Sequence, residues 1–152
     1  MIVKFEKLTV KFKAGENLVD GDVVYVSAVG EVSKATTTNA AKVVGVADED
    51  ASAGENLDVV IYGKKAVIAD GAIAIGDRVR AGATAGRVEA ENTTTSAGHT
   101  HTENTAASYT QNATTGSATD TIEQGRILGK ALASAVAGGS LDILVCLALI
   151  LA

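Results

Sequence analysis

The sequence contains itself. Lys42 to Gly63, KVVGVADEDASAGENLDVVIYG, lies without a gap on Arg126 to Leu147, RILGKALASAVAGGSLDILVCL, at a shift of about 84 positions. Gly45, Ala47, Ala51, Ala53, Gly54, Leu57 and Asp58 meet identical residues at Gly129, Ala131, Ala135, Ala137, Gly138, Leu141 and Asp142. Val43, Val44, Val59, Val60 and Ile61 meet aliphatic residues. A second echo precedes the first: Val19-Asp20-Gly21-Asp22-Val23-Val24 with Gly30-Glu31-Val32 resembles Ile75-Gly76-Asp77-Arg78-Val79 with Gly86-Arg87-Val88, shifted by about 55 to 56. Two copies make a pseudo-twofold domain, since stacked solenoids need at least about three. The repeats run over 14–63 and 70–147, residues 1–13 form an N-terminal strand or arm, and the difference between the two shifts marks an insertion at 92–120.

Within each repeat the pattern is a Gly-Asp turn, a strand, a Gly turn, a strand, a spacer, a strand containing glycine, an Ala/Gly turn and an apolar strand. Residues 7 to 13 alternate, with Leu8, Val10 and Phe12 on one face and lysines on the other, which is the period of a half-buried strand. Ile2, Val3 and Phe5 break that parity, through a bulge or because the first residues form a separate arm that adds to a neighbouring sheet. Val23 to Ser27, Glu31 to Lys34 and Lys42 to Val46 read as short strands, and Ala35 to Ala41 as a polar turn. Leu57 to Tyr62 is apolar enough to be buried on both faces, and Lys65 to Ala69 continues the meander. Asp48 to Gly54 forms an acidic surface turn or a short helical turn capped by Asp48; its counterpart Ala131 to Ala137 permits the same. Strands spaced by Gly turns, without a long helical period, predict an all-β fold: a small, internally duplicated antiparallel β-barrel or sandwich with a long Thr-rich loop.

Composition narrows the function. The chain has 152 residues, enough for one core, and with 47% hydrophobic but only 3% aromatic residues that core consists of Val, Ile, Leu and Ala. The net charge of −5 and the scattered lysines argue against nucleic-acid binding. A single cysteine, Cys146, excludes an intrachain disulfide and a Cys-rich zinc site; its apolar surroundings predict a buried thiol. The N-terminus lacks the apolar run of a signal peptide, and Ile143 to Ala152 is too short to cross a bilayer, so cytoplasmic synthesis and no membrane contact are expected.

From Val88 to Ile122 the sequence places no Val, Ile, Leu, Phe or Met between those two residues, so this stretch adds nothing to the core. A loop this long is functional or disordered. His99 and His101 within it, two apart on an extended segment, point the same way. They either share a metal ion across a threefold axis or face solvent, since one chain alone has too few ligands for a structural zinc site. Asp22, Asp58, Asp77 and Asp142 recur at equivalent positions; turn and cap hydrogen bonds account for that recurrence better than acid/base chemistry. There is no nucleophile elbow and no phosphate-binding loop, and Lys64-Lys65 lacks the flanks of a lipoyl or biotinyl site. No catalytic residue and no cofactor, apart from the histidine metal, is expected.

The run VVGVADEDASAGENLDVVIYG resembles the signature of the small capsid decoration, or cement, proteins of tailed bacteriophages. Gly21 to Val26, Gly76-Asp77-Arg78-Val79 and Gly138 to Val145 fit the same pattern. The long Thr-rich insertion departs from the compact form of that family. The resemblance implies a non-enzymatic β-barrel, commonly a homotrimer, on the outer surface of an icosahedral head, with the major capsid protein as partner. On this reading Ile2, Val3, Lys4, Phe5, Lys7 and Lys11 contact coat or a neighbouring subunit. Leu132, Leu147, Leu149, Ile150 and Leu151 lie between protomers. The His-x-His pair is similar to one that trimeric phage fibres place on their axis. An adhesion module that binds glycans or a host surface through the Thr-rich insertion is the alternative.

Overall fold

The computed structural model describes residues 6–91 and 127–147. The expectations for Ile2, Val3, Lys4, Phe5, His99, His101, Leu149, Ile150, Leu151 and the 92–120 insertion therefore fall outside the described residues. The rest is built from β1 (Lys7–Ala14), β2 (Val23–Ala28), β3 (Glu31–Lys34), β4 (Val43–Ala47), β5 (Asn56–Ile68), β6 (Arg78–Ala81), β7 (Val88–Ala90), β8 (Ile127–Ala131) and β9 (Ser140–Cys146). A short 3-10 helix, Thr37–Lys42, stands where the sequence reads as a polar turn. It is held at its start by the Thr36 backbone N–H donating to Asn39 Oδ1 at 2.6 Å. The turns after Asp48 and after Ala131 are not helical.

Strand order is β1-β3-β2-β4-β5-β9-β8-β6-β7, with β1 also paired to β5. The first five strands thus close into a barrel. All of its pairs are antiparallel except β1 with β3, where Lys13 meets Glu31 and Ala14 meets Val32 in parallel. The expected antiparallel barrel is therefore mixed, for a topological reason. A ring with an odd number of strands cannot alternate direction all the way round, so one neighbouring pair must run the same way.

The second repeat reproduces most of these pairings. The β6–β7, β6–β8 and β8–β9 pairs match β2–β3, β2–β4 and β4–β5. The isolated pair Ile73–Ala135 matches Leu18–Ala51, and the parallel bridge Ala69–Val88 matches the closing Ala14–Val32 pair. The Gly138 N–H donates to the Ala69 oxygen at 2.8 Å as the Gly54 N–H does to that of Ala14 at 2.7 Å. The correspondence reaches further upstream than the sequence echo, for the second half of β5 occupies the place of β1. Thirteen-residue β5 is therefore common to both barrels: its first half pairs with β1 and β4, its second with β9.

Each barrel has the same interior. In the first it is Ala14, Leu18, Val24, Val32, Ala47, Ala51, Leu57 and Val59, which form a separate apolar cluster. Their counterparts Ala69, Ile73, Val79, Val88, Ala131, Ala135, Leu141 and Ile143 belong to the larger cluster. The alternate side chains of the first barrel, Val23, Val46 and Val60, point outward yet are fully buried, because they join that larger cluster. This is why the strand signal at Val59 and Val60 is continuous rather than alternating.

Gly45 and Gly129 allow the strands to approach. A methyl group at Gly45 would overlap the Val60 carbonyl oxygen, and one at Gly129 the equivalent Leu144 oxygen. Replacing either with alanine forces paired backbones apart. Gly45→Ala and Gly129→Ala are each expected to lower unfolding free energy by more than about 3 kcal/mol. Gly54→Ala, a positive-φ position with open space around it, costs about 1–2 kcal/mol. Urea unfolding followed by circular dichroism checks the contrast.

Candidate interaction surfaces

The two barrels present the same backbone turns with opposite chemistry. At one end of the first barrel, residues 15–22 and 48–55 are pinned together by the Leu18–Ala51 pair. The Asp20 N–H donates to Asp50 Oδ1 at 2.8 Å, the Asp58 N–H to Glu49 Oε1 at 2.9 Å, and the Ser52 N–H to Glu55 Oε2 at 2.8 Å. In the second barrel, Ile75 takes the place of Asp20 and its N–H donates to Ser134 Oγ at 3.0 Å. Leu132 stands for Asp48 and Val136 for Ser52. Ile75 is 69% exposed, Leu132 43% and Val136 73%. One end is thus solvated by carboxylates, and the other leaves three large apolar side chains in water.

The acidic end carries the best-buried ion pairs of the described residues. Lys65 Nζ lies 2.9 Å from Asp48 Oδ1 and also contacts Asp20, while Lys7 Nζ lies 2.6 Å from Asp48 Oδ2. The side chains of Lys65 and Asp48 are only 13% and 15% exposed. Burial pushes the Asp48 carboxyl upward, but hydrogen bonds and charge from Lys7 and Lys65 outweigh it and hold its pKa below the usual value. Burial likewise pushes Lys65 down, and Asp20 and Asp48 more than reverse the effect. The network fastens β5 at its middle to the turns of the first barrel and to β1.

The structure places the remaining sequence-derived residues as follows. Lys7 and Lys11 lie on β1, which is a strand of the barrel; Lys11 pairs with Asp58 at 3.1 Å. Asp22 and Asp77 are turn caps, their Oδ2 atoms accepting the N–H groups of Val19 and Ala74, each at 2.9 Å. Asp58 and Asp142 instead lie within strands and use their carboxylates in ion pairs with Lys11 and Lys64. Leu147 packs against the larger core cluster, whereas Leu132 is exposed. Cys146 is exposed as well, contrary to the expectation of a buried thiol. Alternation along β9 turns Leu141, Ile143 and Val145 inward and Cys146 outward. Asp70, not singled out in the sequence, latches the β6–β7 turn. Its Oδ2 accepts the Thr84 N–H at 2.7 Å, and hydrogen bonds from Thr84 hold its carboxyl below the usual value.

No group of three or more His, Cys, Asp or Glu side chains suited to a metal ion occurs among the described residues. What the described residues define is a double β-barrel whose distinctive chemistry lies on its outer surfaces. No family model matches the sequence, and no curated protein matches it. The fold is similar to that of the N base of the head fiber gp8.5 of bacteriophage phi29, with a TM-score of 0.53 and 16% sequence identity, over 91% of this chain and 92% of that one.

The Asp48 network sets a pH dependence. A carboxylate whose folded pKa lies below its unfolded value stabilises the fold above the unfolded value, and that contribution vanishes as pH falls through the folded one. Asp48→Asn is expected to lose about 1.5–3 kcal/mol at pH 7. The gap to wild type narrows as pH falls below about 4 and closes once pH has passed below the depressed folded pKa, where Asp48 is itself neutral. Chemical denaturation at pH 7 and at pH 3 measures both numbers.

Proposed function

We propose that this protein is a structural component of a phage virion that binds the outside of the head as a homotrimer and stabilises the coat lattice. The observation that carries the reading is the fold likeness to the base of a head fiber across almost the whole of both chains. The decoration-protein signature in the repeats points to the same setting. A protein that binds only the assembled shell stabilises that shell by mass action and needs no chemistry of its own.

The internal duplication supports a contact role for the second barrel. Replacing Asp20, Asp48 and Ser52 by Ile75, Leu132 and Val136 leaves the scaffold unchanged and alters only what the end can bury. Burying those three side chains against protein would contribute about 1.5–3 kcal/mol each. The segment 1–6, apolar apart from Lys4 and Glu6, is assigned to coat or a neighbouring subunit as the partner of a strand addition.

Undecorated heads incubated with the purified protein provide the test. Saturable co-sedimentation and a higher temperature of genome release are the expected results. Deleting residues 1–6, or introducing Leu132→Ser with Val136→Ser, should weaken binding by at least about tenfold while the thermal melt of the free protein is retained. Absence of binding by the wild-type protein would sink the reading.

A further inference from the structure

The repeat supplies an internal comparison for one more surface. Across the outer wall of the first barrel runs a cross-strand row, Val23 on β2, Val46 on β4, Val60 on β5 and Thr9 on β1. Its three valines are fully buried in the cluster that joins the two barrels. The equivalent row on the second barrel is Arg78 on β6, Lys130 on β8, Leu144 on β9 and Lys64 on β5. Here nothing from the described chain covers it. Instead there is a shallow depression of about 280 Å³ lined by Arg78, Ile127, Gly129, Lys130, Leu144 and Cys146.

Two properties of this depression call for an anionic occupant. Arg78 and Lys130 are directly opposite partners on adjacent strands, an arrangement of like charges that destabilises a sheet unless an anion lies between them. Neither has an ion pair with a carboxylate among the described residues, whereas Lys64 is neutralised by Asp142 at 3.2 Å. The floor between them, Ile127 and Leu144, is apolar. The matching shape is a small apolar knob flanked by carboxylates.

The chain carries such a knob at the acidic end of its first barrel. Val19 is 55% exposed. Next to it stand Asp20 and, through the Asp20 N–H, Asp50, with Glu49 adjoining. We propose that Val19 and its flanking carboxylates dock into the Arg78–Lys130 depression of a second copy of this chain. The contact is heterologous, one barrel's end on another barrel's wall, so it closes rings such as a trimer or propagates. It extends to the next subunit the use already made of this wall within the chain.

The proposal rests on the homo-oligomeric part of the function proposed above, and the experiment separates the two. Sedimentation velocity of the wild-type protein is compared with Arg78→Glu/Lys130→Glu, with the milder Arg78→Gln/Lys130→Gln, and with Glu49→Lys/Asp50→Lys; far-UV circular dichroism confirms folding. Each charge-reversed variant is expected to weaken self-association by at least about a hundredfold, the neutral pair less. All four substitutions in one chain restore it. Raising salt dissociates the wild-type oligomer, and Cys146, on the depression, reacts with a maleimide faster in the dissociated variants. An oligomer that survives both charge reversals overturns the proposal and leaves the oligomeric reading standing; a wild-type monomer overturns both. If the Arg78→Glu/Lys130→Glu protein keeps its mass but no longer binds heads, the occupant is coat and the proposal fails.

Discussion

The fold depends on one row of contacts, Val23, Val46 and Val60, through which the outside of one barrel becomes part of the core of the other. Each is wholly buried and is therefore worth about 1.5–3 kcal/mol. A barrel with an interior of eight small aliphatic side chains, three of them alanine in the first copy, holds little apolar area by itself. Joining two barrels through a shared wall solves that shortage. The strand β5 passes through both, and Gly63, with φ of 121°, lets it lie against the Glu6–Lys7 backbone on one side while pairing with Val145 on the other.

Much of this is legible in the residues. The repeat identifies β2, β4 and the first half of β5 with β6, β8 and β9, and the Gly-Asp pairs identify the capped turns at Asp22 and Asp77. The equivalence of β1 with the end of β5 is not legible, because KLTVKFKA and YGKKAVIA share only their last residue. What is common to them is a place in a hydrogen-bonded ring, and backbone bonds leave no residue signature. The parallel closing pair is hidden for the same reason. It follows from the parity of five strands and not from any side chain.

The surfaces were partly legible too. Contrast between Asp48-Glu49-Asp50 and Leu132-Ala133-Ser134 is visible in the aligned copies, and the structure shows those stretches to be equivalent ends of the two barrels. The change from Val23, Val46 and Val60 to Arg78, Lys130 and Leu144 is equally present in the alignment. It carries no meaning until pairing places the three on adjacent strands in one row. Cys146 misleads for the opposite reason: a continuous apolar run conceals the parity that turns every second side chain outward.

Both barrels keep the same interior while their walls and ends do not match. A symmetric pair of barrels would meet through one surface used twice, and would offer the same free surface at both remaining ends. Here the wall that binds inside the chain is apolar and its free counterpart is cationic. The end that meets water in one copy is apolar in the other. Each difference removes a symmetric way for the barrels to associate and leaves an asymmetric one in its place, since Arg78 and Lys130 repel a copy of themselves but attract carboxylates. A chain so built favours contacts between unlike surfaces over contacts between like ones.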